Sequence, residues 1–314
     1  MSATNARTTP FRRLATAAVA VLAALGMAAC SGGAGSSASS GTQVGDRSPE
    51  QIKEAGEIVI GIFSDKAPFG YIDANGKPAG YDVVYGDRIA ADLGVTAKYV
   101  PVDAAARTEV LASNKVDITL ANFTVTPERA EKVDFANPYF KVSLGVVSPT
   151  SAEITDVSQL AGKTLIVTKG TTAEAYFEAN HPEIKLQKYD QYSDAYQALE
   201  DGRGDAFSTD NTEVIAWAIQ HPGFSVGIKS LGDTSYIAAA VKKGNTALLD
   251  WLNNELVDLG KENFFHKDYE QTLAPVYGDA ATPTTWSSKA AWTPPPPTNA
   301  GTRPWLPDGF THRG

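Results

Sequence analysis

The chain reads as an α/β protein in two units, the first of them discontinuous. Three observations predict this. From residue 57 onward, apolar strand-like runs alternate with helically spaced segments, a pattern that builds a mostly parallel sheet with helices on its faces. The alternation restarts after Ser148-Pro149, which marks a second α/β set. A return strand at 235–241 then leads to two last helices, so the first unit draws on both ends of the body around an inserted second unit. The expected boundaries are 51–147 with 234–280 for the first unit and 148–233 for the second, with crossings near 146–149 and 232–235 forming a hinge.

The N-terminal stretch 1–29 carries Arg7, Arg12 and Arg13, then an apolar run, then Leu25-Gly26-Met27-Ala28-Ala29. A basic flank, a short apolar core and small residues before a cut site are an export signal. The chain's one cysteine, Cys30, follows directly. Its setting resembles the bacterial lipobox, with Met27 where Leu is usual, and implies lipid attachment at Cys30 and membrane anchoring. An ordinary cleaved signal beside a stray cysteine is the plainer alternative. Residues 30–50 begin with Ser, Gly and Ala, the composition of a flexible tether. Losing the three signal arginines takes the formal charge from −9 to −12, and an acidic body repels nucleic acid.

Within the first unit, 57–63 is a buried strand and Asp73-Ala74-Asn75-Gly76-Lys77 is a turn. Residues 81–93 have helical spacing and Gly94 stops them. Strand 96–102 and helix 104–113 follow, then an apolar run over 116–121 that reads as a strand. Thr126-Pro127 is a helix start, with Thr as N-cap and Pro at the first helical position. Strand 142–147 closes the set. The second unit reads as a short helix at 157–160, strand 163–168, helix 172–180, strand 184–189, helix 193–201, strand 205–209 and helix 211–220. After the return strand come helices at 247–259 and 267–273. Beyond 280 the chain carries Pro283, Pro294 to Pro297, Pro304 and Pro307, a composition that precludes regular structure.

Candidate binding residues lie where strands end, the usual ligand position in open α/β sheets. Arg129 falls in a first helical turn, the wrong end for a cation, since the dipole and free N–H groups there favour anions. Either it is an exposed arginine under mild repulsion, or it and those N–H groups converge on a bound carboxylate. Thr171 and Glu174 have capping-box spacing, and Thr171 with Thr172 offers hydroxyls toward the same cleft. Asp210, three residues before Glu213, is either a plain helix cap or a carboxylate aimed at an ammonium. Arg129 for a carboxylate and Asp210 for an ammonium together describe a zwitterion, and the natural zwitterion of this size is an α-amino acid.

The motifs Ala67-Pro68-Phe69-Gly70-Tyr71 with Gly76, Gly80 and Asp82, then Asn114-Lys115-Val116-Asp117, Ala121-Asn122-Phe123-Thr124-Val125-Thr126-Pro127-Glu128-Arg129, Val133-Asp134-Phe135-Ala136-Asn137-Pro138-Tyr139 and Lys169-Gly170-Thr171-Thr172 resemble the polar amino-acid family (family 3) of bacterial extracellular solute-binding proteins. That resemblance implies a type II periplasmic-binding-protein-like fold whose two lobes close over a free amino acid by hinge motion. It also implies delivery to an ABC permease, and no cofactor or metal. It assigns Arg129, Thr124 and Thr172 to the ligand carboxylate and Asp210 to its ammonium, with Asn122, Thr171 and Tyr139 as further site residues. Within the family, Gly61 to Phe69, Arg107, Gly202-Arg203-Gly204-Asp205 and Phe264-Phe265-His266-Lys267 are most similar to cysteine-binding lipoproteins. Basic-amino-acid binders of the family carry aromatics at the positions of Lys66 and Ala104, and neither is aromatic here. A small polar ligand, L-cysteine first, is therefore expected over lysine or arginine. Lys66 and Arg107 are read either as favouring an acidic side chain such as glutamate or as surface charge. A monomer is expected.

The rival class is an enzyme, since cyclohexadienyl-type dehydratases resemble the same fold. A dehydratase needs a general acid near the leaving group. His181, His221 and His266 sit at expected loop or helix ends, which favours surface roles.

Overall fold

The computed structural model describes residues 43–280. The expected signal, Cys30, the tether up to 42 and the Pro-rich tail at 281–314 lie outside the described residues. Residues 43–50, expected to be tether, are part of the folded body. Ser48 caps helix α1 (Pro49–Ala55) through a capping box with Gln51. Arg47 donates through Nε (2.9 Å) and Nη2 to the fully buried carboxylate of Asp117. Asp117 also accepts the N–H groups of Gly45 and Val59. A buried ion pair with every lone pair engaged anchors this segment, which a Ser/Gly composition reading extended too far.

Strand β1 (Glu57–Ile62) is followed by an antiparallel hairpin ribbon of β2 (Asp65–Lys66), β3 (Gly70–Ile72) and β4 (Pro78–Ala79). Helix α2 (Tyr81–Leu93) ends at Gly94, whose φ of 72° an L side chain would resist. Then come β5 (Thr96–Pro101), a short 3-10 turn over Ala104–Ala106, α3 (Arg107–Ala112), β6 (Ile118–Thr119) and α4 (Pro127–Lys132). Strand β1 lies between β5 and β6, parallel to both. That is why its sequence is apolar on both faces.

Strand β7 (Val133–Pro149) leaves this unit. The second unit follows as β8 (Thr164–Thr168), α5 (Thr172–Asn180), β9 (Lys185–Tyr189), α6 (Tyr192–Glu200), β10 (Ala206–Asp210) and α7 (Asn211–Gln220). Strand β11 (Phe224–Lys242) returns, and α8 (Thr246–Lys261), α9 (Phe264–Asp268), a π-turn at Tyr269–Leu273 and α10 (Ala274–Tyr277) complete the first unit. The strand order is β5-β1-β6-β11-β7-β10-β8-β9. The wings are parallel, as alternation predicts, but the centre is antiparallel because β11 and β7 run against each other and against their neighbours.

These two long strands make the two lobes. The first part of β7 pairs with the end of β11, from Val133 opposite Lys242 to Val142 opposite Ser235. Its last part pairs with β10, from Leu144 opposite Asp210 to Val147 opposite Phe207. β10 joins the opposite edge of β7 at 144, ahead of the expected crossing at 146–149, while β11 stays paired with β7 out to Pro149. On β11 the register shifts between Leu231 and Ser235, overlapping the other expected crossing. Among the described residues no helix is long and apolar enough to cross a membrane.

The first lobe's core packs α2 on β1 and α8 on β7 and β11, with Ile58, Ile60, Tyr81, Ile89, Leu248 and Leu252 buried. The second lobe's core gathers Leu165, Val167, Phe177 and Ala206 around β8 and β10. Between them the ends of β1, β6, β8 and β10 face one another, and the charged residues collect there.

Candidate functional site

The first lobe brings three cations to the cleft. Lys66 comes from the β2 hairpin, Arg107 from the start of α3, and Arg129 from the first turn of α4. Lys66 and Arg107 are nearly inaccessible, and Arg129 is partly buried. The surface-charge reading of Lys66 and Arg107 is therefore wrong. The sequence left that reading open because it shows a charge and not the aromatic walls around it. The Phe123 ring lies 4.6 Å from the Arg107 guanidinium and 5.2 Å from that of Arg129. Phe63 flanks Arg107 as well, at 5.4 Å. Aromatic faces attract a desolvated cation.

Arg107 is fixed by carbonyls. Nε donates to Ala104 O (2.9 Å), and Nη1 donates to Ala121 O and Asn122 O, both at 3.2 Å. Two of its neighbours pay for this in backbone conformation: Ala121 (φ 34°) and Asn122 (φ 41°) are both left-handed, a geometry that non-glycine residues adopt at functional sites when surroundings enforce it. The enforcing partner is Asp82, in the first turn of α2. Its Oδ2 accepts the Asn122 N–H at 2.6 Å and its Oδ1 accepts the Tyr139 hydroxyl at 2.6 Å. Burial pushes the Asp82 carboxyl up to about 6, against those two hydrogen bonds. Tyr139 thus belongs behind the site. Its ring stacks on Phe265, 5.6 Å away, in the first lobe's aromatic core, and it reaches the cleft only by holding Asp82.

Arg129 donates from Nη1 to Thr124 O at 2.7 Å and from Nη2 to Gly170 O at 2.8 Å. That accounts for two of five N–H donors. Burial, reinforced by the positive charge of Arg107, pushes its pKa down to about 9, while Asp210 works in the opposite direction. An anion arriving beside both guanidinium groups would relieve that repulsion. Thr126 caps α4 by accepting the Arg129 N–H, as the sequence implies.

The second lobe supplies the other half. Gly170 O accepts from both arginines, Arg107 Nη2 at 3.1 Å and Arg129 Nη2 at 2.8 Å. Thr171 caps α5, accepting the Glu174 N–H and donating its own proton to Thr168 O at 2.7 Å. Its hydroxyl is engaged within the turn. Thr172, the first residue of α5, is partly exposed. Thr124, buried, presents its carbonyl to Arg129 and bridges to Ile237 of β11.

Asp210 leads into α7 but makes no side-chain cap. Its Oδ2 accepts instead from Asn122 Nδ2 (2.9 Å) and Lys66 Nζ (3.2 Å), both from the opposite lobe. Glu213, one turn on, is buried and meets Lys66 at 2.9 Å. Lys66 also donates to the Tyr192 hydroxyl at 3.1 Å. Burial works against the Lys66 ammonium, yet the surrounding carboxylates hold its pKa above the usual value. Burial pushes Glu213 up to about 7 despite Lys66. Sequence reasoning missed Glu213 and Tyr192. The signal for Glu213 was the Asp210-x-x-Glu213 spacing, which reads equally as a cap.

The structure thus brings Lys66, Arg107, Asn122, Thr124, Arg129 and Asp210 together across two lobes. Asp82 and Glu213 balance the charge: three cations meet three carboxylates. A zwitterion leaves that balance unchanged.

The family model described as bacterial extracellular solute-binding proteins, family 3, matches residues 58–273. A solved structure of a solute receptor for L-cysteine from Neisseria gonorrhoeae is 50% identical, with a TM-score of 0.76, covering 77% of this chain and all of that one. A cysteine-binding protein from Campylobacter jejuni is 49% identical, with a TM-score of 0.75, covering 76% of this chain and 98% of that one. An ABC transporter glutamine-binding protein of Bacillus subtilis is 27% identical over 262 residues, covering 82% of this chain and 95% of the relative.

Proposed function

The chain belongs to family 3 of the bacterial extracellular solute-binding proteins, and on that premise we propose that it captures a small polar amino acid, L-cysteine first, and hands it to an ABC permease. The observation that carries this is the pairing of Arg129 on one lobe with Asp210 on the other. They are close enough for the Asp210 charge to act on the guanidinium. Arg129 and its neighbour Arg107 suit a ligand carboxylate, and Asp210 suits a ligand ammonium. Half-identity to two proteins described as cysteine receptors supports the choice of cargo. Glutamate or glutamine is the alternative ligand.

The lobes hinge where β7 and β11 cross together from one lobe to the other, at the register shift between Leu231 and Ser235, and close over the ligand. The body works outside the cell, held to the membrane by lipid on Cys30 and acting as a monomer. No catalysis is assigned. Glu213, poised near neutrality, is a group that would serve a dehydratase-like reaction, and Lys66 clamps it as a closure contact instead. Among the described residues, His221 stacks on Trp217 at 4.0 Å, His181 meets Glu183 on the surface and His266 faces Glu270 at 3.8 Å.

Calorimetric titration of the full chain with the twenty amino acids, under reducing conditions, tests the proposal. Binding of one small polar amino acid, lost in both Arg129→Ala and Asp210→Ala, is the expected result. No binding to any amino acid sinks it and brings the dehydratase forward.

A further inference from the structure

In the proposed function Lys66 has no part in holding an amino acid's backbone groups. It is nevertheless the most completely enclosed cation of the cleft, with its side chain 1% exposed. It lies 4.6 Å from the Tyr192 ring centroid and 5.3 Å from that of Phe63. Its three N–H donors match three oxygens: Tyr192 Oη, Asp210 Oδ2 and Glu213 Oε2. A saturated ammonium has nothing left to offer a ligand's anionic group. What it does is neutralise two carboxylates that would otherwise stand together, buried, in the cleft of the second lobe.

A pair of buried carboxylates with no cation is costly, and the same pair is a strong receptor for any cation that enters. We infer that Lys66 is a resident counter-cation that makes the site reject amino acids with a cationic side chain, because it already occupies the Asp210–Glu213 pair that such a side chain would need. This inference rests on the amino-acid reading of the site. It makes rejection a matter of charge count. With Lys66 present the cleft holds three cations and three carboxylates; the ligand's own carboxylate and α-ammonium make four of each, so a second ligand ammonium would be an unpaired fifth positive charge. Specificity of this kind comes from an element that repels the wrong ligand. Shortening Lys66 to alanine removes the charge and opens space for an ammonium carried by the ligand, turning the site toward diamino acids.

The test titrates the full chain, Lys66→Ala and Lys66→Met with L-cysteine and a ladder of diamino acids: L-2,3-diaminopropionate, L-ornithine and L-lysine. In parallel, n-propylammonium chloride is added during thermal melting, against sodium chloride at equal ionic strength. The unaltered chain is expected to bind no diamino acid. Lys66→Ala is expected to bind at least one of them tenfold or more tighter than the unaltered chain does. Propylammonium should raise the melting temperature of Lys66→Ala and leave Lys66→Met, whose side chain fills the space, unmoved. Diamino-acid binding by the unaltered chain overturns the inference, as does a Lys66→Ala variant that rejects every diamino acid. The amine readout needs no amino acid. A chain that binds no amino acid at all sinks the proposed function, while the propylammonium response still decides whether Lys66 is a replaceable counter-cation.

Discussion

Gly170 of the second lobe packs directly against Ala105 of the first, and a single methyl group there should keep the lobes apart. A Cβ at Gly170 would sit 2.4 Å from Ala105 Cα and 2.7 Å from Ala105 N. Carbon atoms in contact keep roughly 3.5–4.0 Å, so the lobes must separate locally by about 1 Å or more. Ala105 has little freedom to yield, because its 3-10 turn is pinned through Ala104 O by the buried Arg107. Gly170 O accepts from both Arg107 and Arg129, at 3.1 and 2.8 Å, and an opening of about 1 Å takes both contacts past the ~3.2 Å limit of a hydrogen bond. Each charge-assisted bond contributes about 1.5 kcal/mol at the low end, so the closed state loses about 3 kcal/mol, or roughly a hundredfold in Kd.

Alanine at Gly170 also suffers from the positive φ of 71°, a cost of about 1 kcal/mol. That strain acts in open and closed forms alike and lowers stability without touching affinity. Gly162→Ala is the control: its φ is 75°, and nothing lies within 4 Å of its added Cβ. Calorimetry should find Kd near native for Gly162→Ala and about a hundredfold weaker for Gly170→Ala, with similar small losses in denaturation midpoint. If Gly170→Ala binds within threefold of the native chain, contact between Gly170 and Ala105 does not limit closure and the reasoning fails.

Two further outcomes concern stability. Asp117→Ala leaves Arg47 buried without its counter-ion and strands the N–H groups of Gly45 and Val59; urea denaturation should show a loss of about 3–5 kcal/mol, and a loss under 1 kcal/mol would mean that residues 43–50 detach freely. Burial, with a smaller push from Asp82, raises the Asp268 carboxyl from 3.8 to about 9, against a hydrogen bond from Thr272. The folded state then keeps a proton that the unfolded chain releases, so stability declines as pH rises between these values, by up to about 1.4 kcal/mol per pH unit. Asp268→Asn should flatten the decline measured by urea denaturation from pH 5 to 8, and an unchanged slope would show that Asp268 is ionised in the fold.

The parts of the fold legible in sequence are those whose neighbours leave a regular pattern. β1 and β8 are apolar on both faces because parallel strands and helices enclose them, and α2 stops at a glycine whose conformation requires one. β7 and β11 were legible only in fragments. Asn137-Pro138 and Gly145 interrupt the first, and the polar stretch Lys229-Ser230 with Gly232-Asp233-Thr234-Ser235 interrupts the second. Their pairing carries five register shifts, and each shift breaks the two-residue period by which a strand announces itself. A strand shared by two lobes has different surroundings along its length, so no single period describes it.

The site shows the same limit more sharply. A carboxylate at a helix's N-cap and another three residues on are written identically whether they satisfy backbone N–H groups or grip a cation. Helix geometry puts both on one side of the first turn. In solvent, the N–H groups of that turn are the available donors, and the string is a cap. At Asp210 and Glu213 the helix start is buried against the other lobe, and Lys66 arrives from that lobe with a full charge. An ammonium outcompetes a neutral N–H for a desolvated carboxylate, so the N-cap position is held by Asp210 with no side-chain cap bond. The deciding fact is the approach of a hairpin that is 144 residues away in sequence. Arg129 was legible for the opposite reason. Its oddity, a cation at the positive end of a helix, is local, and a local contradiction can be seen in the sequence before its resolution is seen in space.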